Sequence, residues 1–195
     1  KPTTNPDVFK TIIDKINAKC DIIIQISTES RGGSTLEERA APLQLKPEMA
    51  SLTTGSSNFA NSINTNSPEL VKGLSKIMFD NNIKPEIEIF DISMIANAEY
   101  LEKIGLLKVP LHFNLVMNVP GSIKGTPSNL FYLYSLLPAN STFTISGIGK
   151  AHELMTNIGL SLGGNVRVGI EDVLELEEGK PVSNVFLVER VVRII

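Results

Sequence analysis

Cysteine and histidine are scarce in this 195-residue chain: Cys20, His112 and His152 are all there is of either. A single cysteine excludes an internal disulfide framework and fits a reducing cytoplasm. The two histidines form no H-x-H, H-x-x-x-H or Cys/His motif, so a zinc site built from this chain alone falls short of ligands. Basic excess is also missing. The net charge is −3, which offers no footprint for a phosphate backbone and argues against nucleic-acid binding. The apolar runs stop far short of a membrane span. The opening KPTTNPDVF has no apolar h-region and so does not read as a signal peptide. It also lacks an initiator methionine, which implies an N-terminus that was processed, trimmed or left out. No internal repeat, low-complexity tract or Pro/Gly-rich linker interrupts the chain. What remains is 42% hydrophobic and 20% charged, ordinary for a globular protein. The length suits one sizeable domain or a piece of a larger one.

Short apolar runs alternate with amphipathic stretches. The runs are DIIIQIS (21–27), ASLTT (50–54), PEIEIF (85–90), LHFNLVMN (111–118), TFTIS (142–146) and NVRVGI (165–170). Their length and their β-branched and aromatic residues predict buried strands. Helices are predicted between them. Asn5 or Asp7 caps the first, which runs to about Lys19 with Val8, Ile12 and Ile16 on its apolar face. Thr35 and Glu38 form a capping box ahead of Arg39 and Leu43. Ser67-Pro68-Glu69 opens a helix to about Asn81, with Leu70, Leu74, Ile77 and Met78 inward. Further helices are expected over 93–104, 126–136, 150–162 and 183–195.

Repeated strand–helix units make a parallel sheet with helices outside. A doubly wound open sheet and a (β/α)8 TIM barrel compete. The first would carry a Gly-rich phosphate turn after its first strand, and STESRGGS after Ile26 is not G-x-G-x-x-G. The barrel places polar residues at the C-terminal ends of its strands. Ser27 and Thr28, Thr53 and Thr54, Glu88, Asn118, Ser146, and Glu171 and Asp172 stand there. The expectation is therefore a single α/β barrel domain over 1–195, covering about strands 3 to 8. It is expected to be incomplete at the N-terminus and cut inside the last helix at the C-terminus.

Five segments carry a specific resemblance: PEMASLTTGSSNF (47–59), IKPEIEIFD (83–91), FTISGIGKAH (143–152), GGNVRVGIED (163–172) and SNVFLVERV (183–191). In this order they resemble the β-keto acid cleavage enzymes, whose namesake cleaves 3-keto-5-aminohexanoate in lysine fermentation. The resemblance covers nearly the whole chain. It implies a TIM barrel with a catalytic Zn2+. It also implies an acyltransferase that converts a β-keto acid and acetyl-CoA to acetoacetate and a new acyl-CoA. Of the implied zinc ligands only Glu171 is present; the H-x-H would lie upstream of Lys1. A cytoplasmic homo-oligomer with small-molecule substrates, and neither nucleic acid nor membrane as partner, completes the expectation.

The site residues follow from both lines of reasoning. Glu171 and Asp172 are adjacent and would face opposite ways on a regular strand. At a strand end turning into a loop, both can point into the barrel mouth. Arg167 shares the strand face of positions 169 and 171, and a charge in an interior layer needs a partner. Glu171 or Asp172 supplies it; a structural ion pair at the rim is the plainer reading. The resemblance implies Asp172 as general base, tuned by Arg167, with Glu171 on the metal. It implies that Glu88 binds the substrate's polar tail, an amino group in the namesake. Glu86 is expected at a solvated strand end. By resemblance Ser27 and Thr53 bind the keto acid's carboxylate and carbonyl, with Thr54 as a substitute for Thr53. Gly147 and Gly149 follow the fifth run and open a helix, a geometry that admits an anion. They are assigned to acetyl-CoA, with Lys150 as a nearby cation, although a tight turn explains them equally. His112 is expected to be a satisfied barrel histidine, and His152 to lie near the CoA loop. The 30–34 loop around Arg31-Gly32-Gly33 reads as a lid or a long surface loop. Two rival functions are a metal-free, non-catalytic barrel remnant and an aldolase-type lyase. The latter needs a Schiff-base lysine at a strand end, and none is seen on the six runs.

Overall fold

All six expected strands form, in the expected order, and every neighbouring pair is parallel. The structure, a computed structural model, describes residues 3–29 and 34–195. Its strands are β1 (Gln25–Ile26), β2 (Met49–Thr53), β3 (Ser57–Phe59), β4 (Ser62–Asn64), β5 (Lys84–Ile89), β6 (His112–Met117), β7 (Thr142–Gly147), β8 (Asn165–Arg167), β9 (Glu175–Glu177) and β10 (Lys180–Pro181). Its α-helices are α1 (Pro6–Asn17), α2 (Leu36–Ala40), α3 (Pro68–Asp80), α4 (Ser93–Lys103), α5 (Pro127–Ser135), α6 (His152–Ser161) and α7 (Asn184–Ile194). Short 3-10 turns, Ala41–Leu45 and Gly149–Ala151, join α2 to β2 and β7 to α6.

The main sheet runs β1-β2-β5-β6-β7-β8. Each strand is added beside the one before it, with no reversal of order. A doubly wound sheet reverses at its switch point, so the chain is wound one way only, as a curled half-barrel. The sheet stays open among the described residues, with β1 and β8 at its edges. Edge position shortens both strands relative to the runs that predict them. The 21–27 run pairs only at Gln25 and Ile26, leaving Ile22 and Ile23 exposed. The 165–170 run leaves the ladder after Arg167.

The helices begin where their caps predict. Asn5 Oδ1 accepts from the Asp7 amide and Pro6 occupies the first turn of α1. The Thr35–Glu38 capping box is complete in α2. Ser67, Thr126 and Ser183 cap α3, α5 and α7 in the same way, each satisfying an orphan amide of the first turn. The α1 face of Val8, Ile12 and Ile16 differs from expectation. Nothing on α1 is buried, and Val8 and Ile12 are exposed.

One face of the sheet is apolar and meets the helices. Leu52, Ile87, Ile89, Phe113, Leu115, Met117 and Ile145 pack against Leu74 and Met78 of α3, Met94 and Ala98 of α4, Leu130 and Leu133 of α5, and Met155 of α6. Full burial of one such side chain is worth about 1.5–3 kcal/mol, so this layer carries the fold. In α3 the inward set is Val71, Leu74 and Met78; Leu70 and Ile77 are only partly buried.

The alternate residues, two apart along each strand, point the other way and are nearly all polar. They include Gln25, Ser51, Thr53, Glu86, Glu88, His112, Asn114, Thr144, Ser146 and Arg167. Register lines them up across the sheet: Thr53 with Glu88, Glu88 with Asn114, Asn114 with Thr144, Ser146 with Arg167. Such a face is costly unless each group finds a partner, and the partners exist, as described below. Two hairpins were not anticipated. β3–β4 turns at Ala60-Asn61 and β9–β10 at Glu178-Gly179, both antiparallel.

Candidate active site

A cavity of about 980 Å³ opens over the C-terminal ends of the strands, lined by Ser27, Glu29, Glu88, Arg167, Glu171 and Asp172 among others. Phe59 and Phe90, in edge-to-face contact with centroids 6.1 Å apart, form an apolar part of its wall. A cavity of this size takes a small organic substrate.

Asp172 and Arg167 form its charged centre. After β8 the chain turns, with the Asp172 and Val173 amides both donating to the Gly169 carbonyl. That turn lifts Glu171 and Asp172 off the strand and lets both line the cavity. Arg167 Nε donates to Asp172 Oδ2 at 3.0 Å and Nη2 to Oδ1 at 2.6 Å. Its Nη1 lies 3.8 Å from Glu88 Oε1. Of the two partners left open for Arg167, Asp172 is the one engaged. Burial works against the Arg167 charge, but the Asp172 hydrogen bonds, then the Asp172, Glu88 and Glu171 charges, outweigh it and raise its pKa further. The arginine is fixed as a cation.

Reaching Glu88 from β8 means crossing β6 and β7. Strands lie about 4.8 Å apart, so a flat sheet would hold these side chains much further apart at their roots. Curl brings them together over the small side chains of Ser146 and Asn114.

Glu88 is buried, and burial together with the nearby Glu29 charge pushes its carboxyl up to about 8, against the pull of Arg167. Thr53 Oγ1 lies 2.9 Å from Glu88 Oε2 and 2.5 Å from Glu29 Oε1. Asn64, brought in by the β3–β4 hairpin, donates to Glu29 Oε2 at 2.5 Å. Glu29 is thus a pocket residue that the sequence reading passed over. Its signal was the strand period: Gln25 and Ser27 face the cavity, and Glu29 continues their alternation.

Glu86 corrects an expectation. Rather than a solvated strand end, it is buried, only 6% exposed. Gln25 Nε2 donates to its Oε2 at 2.6 Å, Asn114 Nδ2 donates to the same oxygen at 3.2 Å, and His112 Nε2 sits 3.7 Å from Oε1. Burial pushes this carboxyl up, yet hydrogen bonds from His112, Gln25 and Asn114 together hold it below the ordinary range. The network continues through His112 to Thr142 and Thr144, and from Asn114 Oδ1 to the Ser146 hydroxyl. It forms the floor beneath the cavity, and His112 is a satisfied barrel histidine.

The remaining expected residues divide. Ser27 is exposed on the cavity wall, its Oγ accepting the Glu29 amide at 3.1 Å. Thr54 cannot stand in for Thr53: its hydroxyl donates to the Met94 carbonyl, away from the cavity. Gly147 ends β7 where a Cβ would come within 2.8 Å of the Ala151 carbonyl oxygen and Met155 Cβ, so α6 packs there only against glycine. Gly149 has φ +59° and open space around it, and its amide donates to the Asp172 carbonyl at 2.7 Å. It ties the turn after β7 to the turn that carries Asp172. His152 is buried with Nδ1 on the Gly147 carbonyl. Of the 30–34 loop, 30–33 lie outside the described residues; Ser34 lines the cavity.

Glu171 is exposed at the cavity edge. Among the described residues no group of three His, Cys, Asp or Glu side chains is placed to hold a metal. The described donors therefore do not compose a zinc site by themselves; Glu171 offers one ligand. The only lysine on these six strands is Lys84. Its ammonium has its pKa lowered by burial, but it opens β5 at the end opposite the cavity and donates to the Pro110 carbonyl. No described helix is long and apolar enough to cross a membrane.

Comparison with known proteins agrees with this geometry. The solved structure titled "Binary complex of ObcA with oxaloacetate" superimposes with a TM-score of 0.76 at 19% identity, covering 98% of this chain and 52% of that one. At that identity it shows the fold. The 3-keto-5-aminohexanoate cleavage enzyme of Acetoanaerobium sticklandii is 45% identical over 99% of this chain and 72% of its own length. The 3-oxoadipate:acetyl-CoA acetyltransferase of Cupriavidus necator is 38% identical over 91% of this chain. The chain spans 63% of that relative's length and about half of the solved structure. A family model described as beta-keto acid cleavage enzyme matches residues 1–195. The chain belongs to the beta-keto acid cleavage enzyme family.

Proposed function

We propose that this chain forms the greater part of an enzyme that takes a β-keto acid and acetyl-CoA and yields acetoacetate and a new acyl-CoA. The observation that carries this reading is the Arg167 fork on Asp172 at the mouth of the half-barrel. A carboxylate held beside a fixed cation in a cavity is a positioned base. Asp172 removes a proton from the carbon between the two carbonyls of the keto acid. The carbanion attacks the acetyl carbonyl of acetyl-CoA and expels the thiolate. The thiolate then adds to the original keto carbon, and carbon–carbon cleavage leaves the new acyl-CoA and the enolate of acetoacetate, which takes the proton back from Asp172.

Arg167 stabilises the anionic form of Asp172 between turns of this cycle. Ser27 and Thr53 are assigned to the keto acid's carboxylate and carbonyl, and Glu88 to its tail. The Gly147–Gly149 turn, beside the exposed Lys150, is assigned to acetyl-CoA. Zinc dependence is part of the family resemblance. Within this chain it rests on Glu171, and the proton transfers are assigned to the chain's own side chains. The six strands are proposed as strands 3 to 8 of an eight-stranded barrel, in keeping with their sequential order and open edges. A cytoplasmic homo-oligomer, as in lysine fermentation, belongs to the same proposal. Val185, Val188 and Val192 are exposed along one face of α7 and offer a surface for self-association.

Relatives named for an amino-bearing keto acid and for 3-oxoadipate leave the substrate's tail open. The test of the reaction itself is acetoacetate release from acetyl-CoA by the full-length protein with a panel of β-keto acids. Turnover that disappears in Asp172→Asn supports the assignment; unchanged turnover removes it.

A further inference from the structure

We propose that Lys84 is a modification site: its side-chain amine takes an acyl group directly from an acyl-CoA thioester, and the small apolar cavity beside it houses that group. The site lies outside the machinery of the reaction proposed above and shares with it only the thioester.

This second cavity, about 180 Å³, lies where α3 ends, β5 begins and the chain leaves α4. Met78, Ile83 and Leu107, all buried, give it an apolar lining. Lys84 and Lys108 are the lysines on its wall, and the two are held differently. Lys108 is exposed. Its ammonium lies 4.6 Å from the centroid of the Phe79 ring and donates to Asn82 Oδ1 at 3.3 Å, contacts that suit a cation. Lys84 is half-buried. An ammonium has three hydrogens to place, and among the described residues this one has a single acceptor, the neutral Pro110 carbonyl. Burial lowers its pKa and no carboxylate offsets that effect. Lys10, Lys76 and Lys180, by contrast, each pair with a carboxylate.

A charge in such a place is costly, and a lysine desolvated in an apolar pocket is an activated nucleophile. The free amine keeps one hydrogen on the Pro110 carbonyl and has its lone pair for an incoming acyl carbon. The nitrogen attacks the thioester carbonyl; a carbon–nitrogen bond forms as the carbon–sulfur bond breaks. The second amine hydrogen leaves as a proton and goes to the departing thiolate. The products are an N-acyl-lysine and free CoA thiol, and no other reactant is needed. The amide retains an N–H for Pro110 and removes the charge that the site leaves without a carboxylate. Its short acyl chain gains the apolar lining as a partner.

The test incubates the full-length protein with acetyl-CoA carrying an isotope-labelled acetyl group at pH 8, once folded and once in concentrated urea. Peptide mass spectrometry follows the label on each lysine over time. In the folded protein Lys84 is expected to gain label about tenfold faster than Lys108 and the exposed Lys76, or more. In urea the burial is gone, and the three lysines should label at similar rates. Absent label on Lys84, a rate no greater than that of Lys108 and Lys76, or an advantage that survives urea overturns the proposal. Acetoacetate formation is a separate readout. Fast labelling of Lys84 without turnover leaves this proposal standing and removes the proposed reaction; turnover without fast labelling does the reverse.

Discussion

Arg167 grips Asp172 along one edge of its guanidinium, Nε at 3.0 Å and Nη2 at 2.6 Å. One side chain ends the last strand of the sheet; the other stands on the turn that follows. The same arginine reaches Glu88 three strands away. It therefore joins Asp172, the proposed base, and Glu88, the proposed tail-binding acid, across the curl of the sheet.

Removing the arginine leaves a buried carboxylate without its partner. The Asp172 side chain is 2% exposed and that of Arg167 31%. Arg167→Ala should cost about 2–4 kcal/mol, somewhat below the roughly 3–5 kcal/mol for breaking a fully buried pair because one partner is partly wet. Arg167→Lys keeps the charge but not the fork, and should recover only part of the loss. Urea unfolding of the three proteins measures it.

Glu88 makes stability depend on pH in an unusual direction. Its folded-state value, about 8, lies above its ordinary 4.5, so the folded state holds a proton that the unfolded state has lost. Stability should fall as pH rises from about 4.5 to 8, by at most about 5 kcal/mol. Glu88→Gln should flatten that slope. Unfolding midpoints at pH 5, 6.5 and 8 read it directly.

Glu86 acts in the opposite sense. Its carboxylate is held below the ordinary range by His112, Gln25 and Asn114, so its contribution is present at neutral pH and lost in acid, below about 4.5. Glu86→Ala should cost about 2–4 kcal/mol at pH 7, because it leaves buried donors unsatisfied. A chemical denaturation curve at pH 7 checks the size, and a repeat at pH 3.5 checks the sign.

At the end of β7, Gly147→Ala would drive a methyl to within 2.8 Å of the Ala151 carbonyl oxygen. A cost of about 1–3 kcal/mol is expected from overpacking. Gly149→Ala has free space but a positive φ, and should cost about 1 kcal/mol. Thermal melts of both variants rank them.

The strands were legible because a parallel sheet leaves short β-branched runs in the chain, and the helices because Asn5, Thr35, Ser67, Thr126 and Ser183 announce their starts. Polar strand ends and the family resemblance pointed to a barrel over a doubly wound sheet, and the one-way strand order agrees with a curled half-barrel; that order itself no local pattern encodes. At the site, the closing motif led to Arg167, Glu171 and Asp172. It did not say which acid the arginine would hold; the Gly169 turn decided that. Glu86 was misjudged because a carboxylate near a strand end usually reaches water. Here Gln25, two strands away, and His112 close over it. Glu29 was missed because its partners Thr53 and Asn64 come from separate elements, β2 and the β3–β4 hairpin, which meet it only in the folded chain.

The central claim is that Asp172 is the base of a β-keto acid cleavage reaction. Its most direct test is the turnover number of the full-length Asp172→Asn protein for acetoacetate formation from acetyl-CoA and a β-keto acid. The substitution is isosteric and leaves Arg167 with an acceptor at the same place. The account predicts a loss of about 10²–10⁴-fold in turnover with the fold retained. Turnover within twofold of the unaltered protein would contradict it.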